Sequence, residues 1–191
     1  MTRIILASES PRRRQLLETM GIDFSCLKPQ ITEELITGES ALQTAERLAL
    51  QKALSISDAG EDCLIIAADT IVTCAGKILG KPGSAEEACK MLSLLSGRSH
   101  QVITAVCVKK GLDTEVQSEI TKVFFRTLNR KEILGYIATG EPFDKAGGYG
   151  IQGIGSVLVD RIEGCYFNVV GLPLSRLYKM LQKQNIEVLG V

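Results

Sequence analysis

Asp69 closes an apolar run, Leu64 to Ala68, and a carboxylate at the end of such a strand stands where open α/β sheets bind their ligands. It could hold a divalent cation, take a proton from an attacking water, or cap the turn at Thr70. Glu33 and Glu34, in the stretch QITEE, could add a second carboxylate or form a solvated face. The cations come from separate segments. Ser10 is a natural N-cap and Pro11 suits the first helical position, so Arg12 and Arg13 fall in a first turn whose N–H groups are already positive. Arginine there costs about 0.3–1 kcal/mol per charge, which a negative ligand would offset. Lys52 falls on the apolar stripe of its helix beside Leu48 and Ile56, and either snorkels to the surface or meets an anion inside. Lys81 in ILGKPG and Lys145 in DKAGGYGIQG lie in glycine-containing loops.

Neither loop is a known phosphate motif. Only three residues separate Gly76 from Gly80, and Pro82 follows Lys81, where a Walker loop needs four residues and then Ser or Thr. Gly148, Gly150 and Gly153 satisfy G-x-G-x-x-G, but they follow a loop containing Pro142 and precede the strand-like SVLVDRI, the reverse of a dinucleotide fingerprint. These glycines let backbone approach a ligand closely, with Asp144, Lys145 and Gln152 as its polar groups. His100 is the single histidine; with no serine-elbow motif near it, it reads as a turn or strand residue. Arg12, Arg13, Lys52, Lys81 and Lys145, gathered at one cleft and facing carboxylates, would bind a triphosphate, because arginine forks and helix N–H groups share phosphate oxygens. Arg14 is left to solvent.

The elements that must position these groups alternate. Arg3 to Ala7 is a strand, and Pro11 to Met20 a helix stopped by Gly21. Ser40 and Gln43 box a second helix with apolar positions at Ala45, Leu48, Ala49, Ala53 and Ile56. Leu64 to Ala68 is a strand buried on both faces, which Ile71 to Cys74 prolongs past a kink. Ser84 and Glu87 box a third helix through Leu95, closed by Gly97. Gln101 to Val108 and Ile120 to Leu128 form a hairpin around Gly111 and Asp113. Asn129 and Glu132 cap a short helix ending near Gly140, Glu141 to Gly155 has no period, Ser156 to Ile162 is a strand, and Pro173 opens a last helix through Gln184. The order predicts an α/β mixed sheet flanked by helices, with irregular segments at one cleft.

Bulk composition narrows the partners. The chain of 191 residues balances 22 Lys and Arg against 22 Asp and Glu, so no global field draws it to nucleic acid or a membrane surface. Small anionic ligands fit better. No stretch approaches the roughly 18 apolar residues of a membrane helix. The six cysteines form no C-x-x-C pair, as in a reduced cytoplasmic protein.

The sequence resembles the Maf proteins nearly end to end. The resemblance rests on LASESPRRRQLL at 6–17, ITEE at 31–34, AADTIV at 67–72, ILGKP at 78–82, LSGRSHQVITAV at 94–106, TGEPFDKAGGYGIQG at 139–153 and FNVVGLPL at 167–174. It implies one domain over residues 1–191, built as two lobes around a deep cleft like the related inosine triphosphate pyrophosphatases, and often dimeric. It also implies cleavage between the α and β phosphates of a nucleoside triphosphate with a divalent metal, magnesium or manganese. Asp69 then matches the proton acceptor and Glu33 a carboxylate supporting metal or water. Ser8, Arg12, Arg13, Lys52, Lys81 and Lys145 match phosphate-holding positions, where cations neutralise charge on the departing pyrophosphate, and Lys81 counts with Asp69 and Glu33 among the catalytic residues. Arg12, Thr70 and Gln152 match the branch similar to dTTP and UTP pyrophosphatases. Departures at Ser84, Gly148 and Cys165 touch none of these. The family is also associated with arrest of septum formation, so a nucleotide-sensing regulator of cell division is the other class.

Overall fold

The computed structural model describes residues 2–56, 60 and 62–189. Local rules set its first elements. β1 (Arg3–Ala7) leads into α1 (Pro11–Glu18), whose N-cap Ser10 accepts from the Arg13 N–H, and Gly21 ends the turn beyond it at φ +68°. The short β2 (Ser25–Leu27) follows, then a coil that carries Glu33. Ser40 and Gln43 form the reciprocal box of α2 (Ala41–Leu54).

β3 (Cys63–Cys74) is the spine of the sheet, with β4 (Lys77–Leu79) folded back on its end. After α3 (Ala85–Leu95) come β5 (Ser99–Lys110) and β6 (Asp113–Phe125), paired along their whole length. α4 (Arg130–Ala138), a run of short 3-10 turns, β7 (Val159–Glu163), α5 (Tyr166–Val170) and α6 (Leu174–Lys183) complete the chain. The sheet has seven strands in the order β2-β1-β3-β5-β6-β7, with β4 beside the far end of β3. β1 is parallel to β2 and β3, and the other pairings are antiparallel. The mixed sheet is as expected.

One edge of β3 is interrupted. β1 ends at Ala7 opposite Ala67, and β4, running antiparallel, pairs no nearer than its last residue Leu79 opposite Val72. Between them, Ala68 to Ile71 pair with β5 on one side only. Alternation then sorts the side chains: Ile65 and Ala67 pack on Ala45, Leu48 and Ala49 of α2, whereas Leu64, Ile66 and Ala68 pack on Leu17 of α1 and Leu177 and Met180 of α6. A further core, from Val72 and Cys74 to Leu92, Phe125 and Ile133, fills the far end under α3 and α4. Two lobes therefore share β3, β5 and β6.

The differences from expectation are local. β3 runs through Asp69 without a break, because β5 supports it from Leu64 to Thr73. α1 stops at Glu18, before Met20, and β6 ends at Phe125, before Leu128. The Glu87 carboxylate accepts from the Gly83 N–H and not from Ser84, so only half of that box forms. Residues 153–158 are 3-10 turns, and strand geometry starts at Val159. β2, β4 and α5 are too short to show in periodicity.

His100 lies in the far-lobe core, with its Nε2 2.6 Å from the Tyr149 hydroxyl and its Nδ1 unpaired. Burial pushes its pKa down to about 4 from 6.5. The folded state therefore holds it neutral, and that contribution is complete above pH 6.5 and lost as pH falls toward 4. Denaturant midpoints measured from pH 7 to 4 should show stability falling by about 1.4 kcal/mol per pH unit from this group. His100→Gln should remove that slope.

Candidate active site

The interruption in β3 opens a cleft of about 420 Å³. Asp69, at an odd position of β3, faces α2, where Lys52 lies on the same buried stripe as Leu48 and Ala49. The Lys52 ammonium reaches Asp69 Oδ1 at 2.6 Å and Glu33 Oε1 at 2.6 Å. Lys52 and Asp69 are each 5% exposed, so this ion pair is desolvated, whereas Glu33 stands half-exposed at its edge. Burial alone would raise the Glu33 pKa, but Lys52, aided by Lys81 and Arg13, outweighs it and holds the carboxyl below its usual range. Glu33 is kept in place from behind: Arg47 clamps Glu39 through both carboxylate oxygens and donates to the Glu34 carbonyl at 2.9 Å.

Thr70, the next residue, faces the opposite side of the sheet. Its hydroxyl accepts from Arg13 Nη2 at 3.0 Å, and Arg13 Nε donates to the Gly171 carbonyl at 2.9 Å. Burial lowers the Arg13 pKa, against the pull of Asp69 and Glu33. Behind Thr70, the Thr104 hydroxyl is 3.0 Å away and donates to the Asn168 carbonyl, while Asn168 Nδ2 donates to Val102 and Thr121. α1, β3, β5, β6 and α5 are thus joined by one buried polar chain.

At the mouth, Arg12 and Lys145 share a carboxylate: Asp144 Oδ2 accepts from Arg12 at 2.8 Å and Oδ1 from Lys145 at 2.6 Å. Burial works to raise the Asp144 pKa, but these two cations hold it below its usual value. Lys81 also lines the cleft, exposed, after Gly80. Five cations line the cleft, Arg12, Arg13, Lys52, Lys81 and Lys145, against Glu33 and Asp69 within it and Asp144 at its mouth, so positive charge is in excess by two.

The cleft thus gathers the expected cations, both carboxylates and Thr70. It does not gather every expected residue. Ser8 is buried at the end of β1, where its hydroxyl accepts from the Ser10 N–H at 3.1 Å, and it does not line the cavity. Gln152 is exposed on the turn just beyond Gly150 and Ile151, which do line it. Arg14 is exposed as expected, paired with Glu18 at 2.9 Å. Thr104 and Asn168, which the sequence did not single out, hold Thr70 from behind; the only signal for them was a polar residue inside an otherwise apolar run.

A buried Lys52–Asp69 pair with Glu33 at its edge, in a net-positive cleft, suits the class of proteins that bind a polyanionic small molecule. The Maf-like protein model matches residues 3–184, and the chain belongs to that family. A dTTP/UTP pyrophosphatase of Syntrophomonas wolfei is 52% identical over 186 residues, covering 96% of this chain and 98% of that protein. Another, of Aquifex aeolicus, is 45% identical over 184 residues and covers 96% of each. A HAM1 protein from Coxiella burnetii shares the fold at a TM-score of 0.54 and 16% identity, covering 96% of this chain and 100% of that one. A Ham1 protein of Staphylococcus aureus does so at 0.52 and 14%, over 95% and 99%.

Lys52→Met should leave a buried carboxylate unpaired and cost about 3–5 kcal/mol. In the parent, the Glu33 contribution is present above an unfolded pKa of about 4.3 and lost as pH falls through the lower folded value. A carbon-13 titration of Glu33 in the variant should show its pKa risen and this acid loss absent.

Proposed function

We propose that this chain hydrolyses dTTP and UTP at the α–β phosphoanhydride, giving monophosphate and pyrophosphate, as one domain over residues 1–191. The observation that carries the reading is the Lys52 ammonium, 2.6 Å from both Asp69 and Glu33 on the floor of a net-positive cleft. The curated names of its relatives support the same reaction. Asp69 takes a proton from water as the water oxygen attacks the α phosphorus and the bond to the bridging oxygen breaks. Lys52 orients Asp69, and Arg12, Lys81 and Lys145 meet the charge that develops on the departing pyrophosphate. Arg13 and Thr70 hold the α phosphate side, with Ser8 fixing the entry to α1.

Among the described residues no three His, Cys, Asp or Glu side chains converge. The donor set still suits magnesium or manganese, which bind through one or two carboxylates together with substrate phosphates. Asp69 and Glu33 would hold the ion, which supplies polarisation of the phosphoryl oxygens. Gln152 is the group we assign to the imide edge of the pyrimidine, because its amide both donates and accepts. All six cysteines are free, which supports the reducing cytoplasm as the setting. Among the described residues no helix is long and apolar enough to cross a membrane.

The test is turnover of a triphosphate panel with magnesium or manganese in oxygen-18 water. Pyrophosphate release with the label in the monophosphate is expected; inorganic phosphate as first product, or binding of every nucleotide without turnover, would overturn the reading. Asp69→Asn should lower kcat by about 10²–10⁴ while dTTP affinity stays within about threefold. An Asn variant with parental kcat would remove Asp69 from the role of base.

A further inference from the structure

The turn that brings Gly150 and Ile151 to the cleft and carries Gln152 has no regular ladder to hold it. It is held by one carboxylate that belongs to none of the groups assigned above. Glu141 Oε1 accepts from the Tyr136 hydroxyl at 3.1 Å and from the Gly155 N–H at 3.2 Å, and Oε2 accepts from the Ile154 N–H at 3.0 Å. Tyr136 passes the contact on, because its oxygen accepts from the Gly150 N–H at 3.1 Å. Both ends of the Gly150–Gly155 turn are therefore tied to the same phenol and carboxylate pair. The Glu141 main chain serves the phosphate side as well, its carbonyl accepting from Lys145 Nζ at 2.7 Å.

Two features make this a fitted clamp and not a surface contact. No lysine or arginine pairs with the Glu141 carboxylate among the described ion pairs; its hydrogen bonds come from two backbone N–H groups and a phenol. An acceptor-only side chain suits those donors, and an amide would set its own N–H against one of them. The glycines also stand against the clamp: a Cβ on Gly153 would lie 3.0 Å from Glu141 Oε2, and one on Gly155 would clash with the Gly150 carbonyl of the same turn and lie 2.6 Å from the Tyr136 hydroxyl oxygen.

We propose that Glu141 is a positioning residue for base selectivity: with Tyr136 it fixes the Gly150–Gly155 turn, and so the placement of Gln152 against the nucleotide base. This rests on the reading of Gln152 given above. Glu141 touches no reacting atom, and its side chain meets none of the cations assigned to phosphate. Selectivity and phosphate binding are therefore separable by substitution.

The experiment measures dissociation constants of α,β-methylene analogues of UTP and GTP, and of inorganic tripolyphosphate, for the parent protein, Glu141→Gln and Tyr136→Phe. Glu141→Gln should cut the preference for the uridine over the guanosine analogue about tenfold or more, by weakening the uridine analogue. Tripolyphosphate affinity should stay within twofold. Tyr136→Phe, which cannot accept from Gly150, should shift the same ratio in the same direction by less, and it carries the test alone if Glu141→Gln fails to fold. An unchanged ratio in a folded variant overturns the proposal, as does an equal loss of tripolyphosphate affinity, which marks a general structural role. If the parent binds these analogues but cleaves neither dTTP nor UTP, the hydrolytic reading falls, and the binding ratio alone still decides for or against Glu141.

Discussion

A gap in one edge of the sheet is the constraint from which the site follows. Backbone N–H and C=O groups in a strand normally demand a partner on each side, yet Ala68 to Ile71 have β5 alone. β1 is too short to reach them and β4 too far along. The strand stays extended there because the β5 ladder runs unbroken behind it, through Thr104 opposite Thr70. What would be a weak edge in a uniform sheet becomes an opening into which two adjacent side chains project from opposite faces. The cleft is reached by both Asp69 and Thr70 for that reason, although one packs toward α2 and the other toward α1.

Electrostatics then decides what the opening can hold. A buried ammonium is expensive unless it is paired, and Lys52 meets its cost with two carboxylates at 2.6 Å. Three charges share that floor, so it is negative by one, while Arg12, Arg13, Lys81 and Lys145 ring it. The arginines at the positive end of α1 fit this division. Arg13 is turned away from the helix dipole to the Gly171 carbonyl and Thr70, and Arg12 to Asp144. Asp144 serves two cations from separate parts of the chain and keeps their side chains ordered at the mouth.

The legible parts of this design in the sequence were the local ones. Caps at Ser10, Ser40 and Asn129 depend on residues three positions apart, and each forms. Lys52 could be flagged because a cation on an apolar stripe contradicts the stripe. The gap is not legible: nothing in Leu64 to Cys74 says where β1 stops, so the apolar run alone reads as a strand ending at Asp69, which stands in mid-strand beside an empty edge. The same limit hid Asn168 and Thr104, which lie 64 positions apart in the chain and become a pair only when α5 packs against β5. His100 is tied to Tyr149 across 49 positions, a contact with no local sign in the sequence. Ser8 points to the cleft only by family resemblance and Gln152 also by its place in the glycine-rich segment, and side-chain placement leaves both out of its wall.

The glycine-rich segment shows why sequence motif and structural need can part company. Its G-x-G-x-x-G spacing opens no α-helix, and its glycines answer to walls already present. A Cβ would stand 2.8 Å from Lys145 Cε on Gly150 and 3.0 Å from Glu141 Oε2 on Gly153, and the preceding Gly147 is the most constrained by the sheet. Gly147 adopts φ +72°, donates its N–H to the Gly80 carbonyl at 3.0 Å, and would set a Cβ 2.9 Å from Val72 Cγ1. Val72 is where β4 first pairs with β3, so the loop is pressed onto the far lip of the edge gap. Any side chain at 147 would push the loop off that lip. Moving it would carry Lys145 and Gly150 away from Asp69, which the strand holds fixed. The missing Cβ and the missing strand partner are therefore one requirement seen twice, since a cleft that narrow needs backbone on both of its walls.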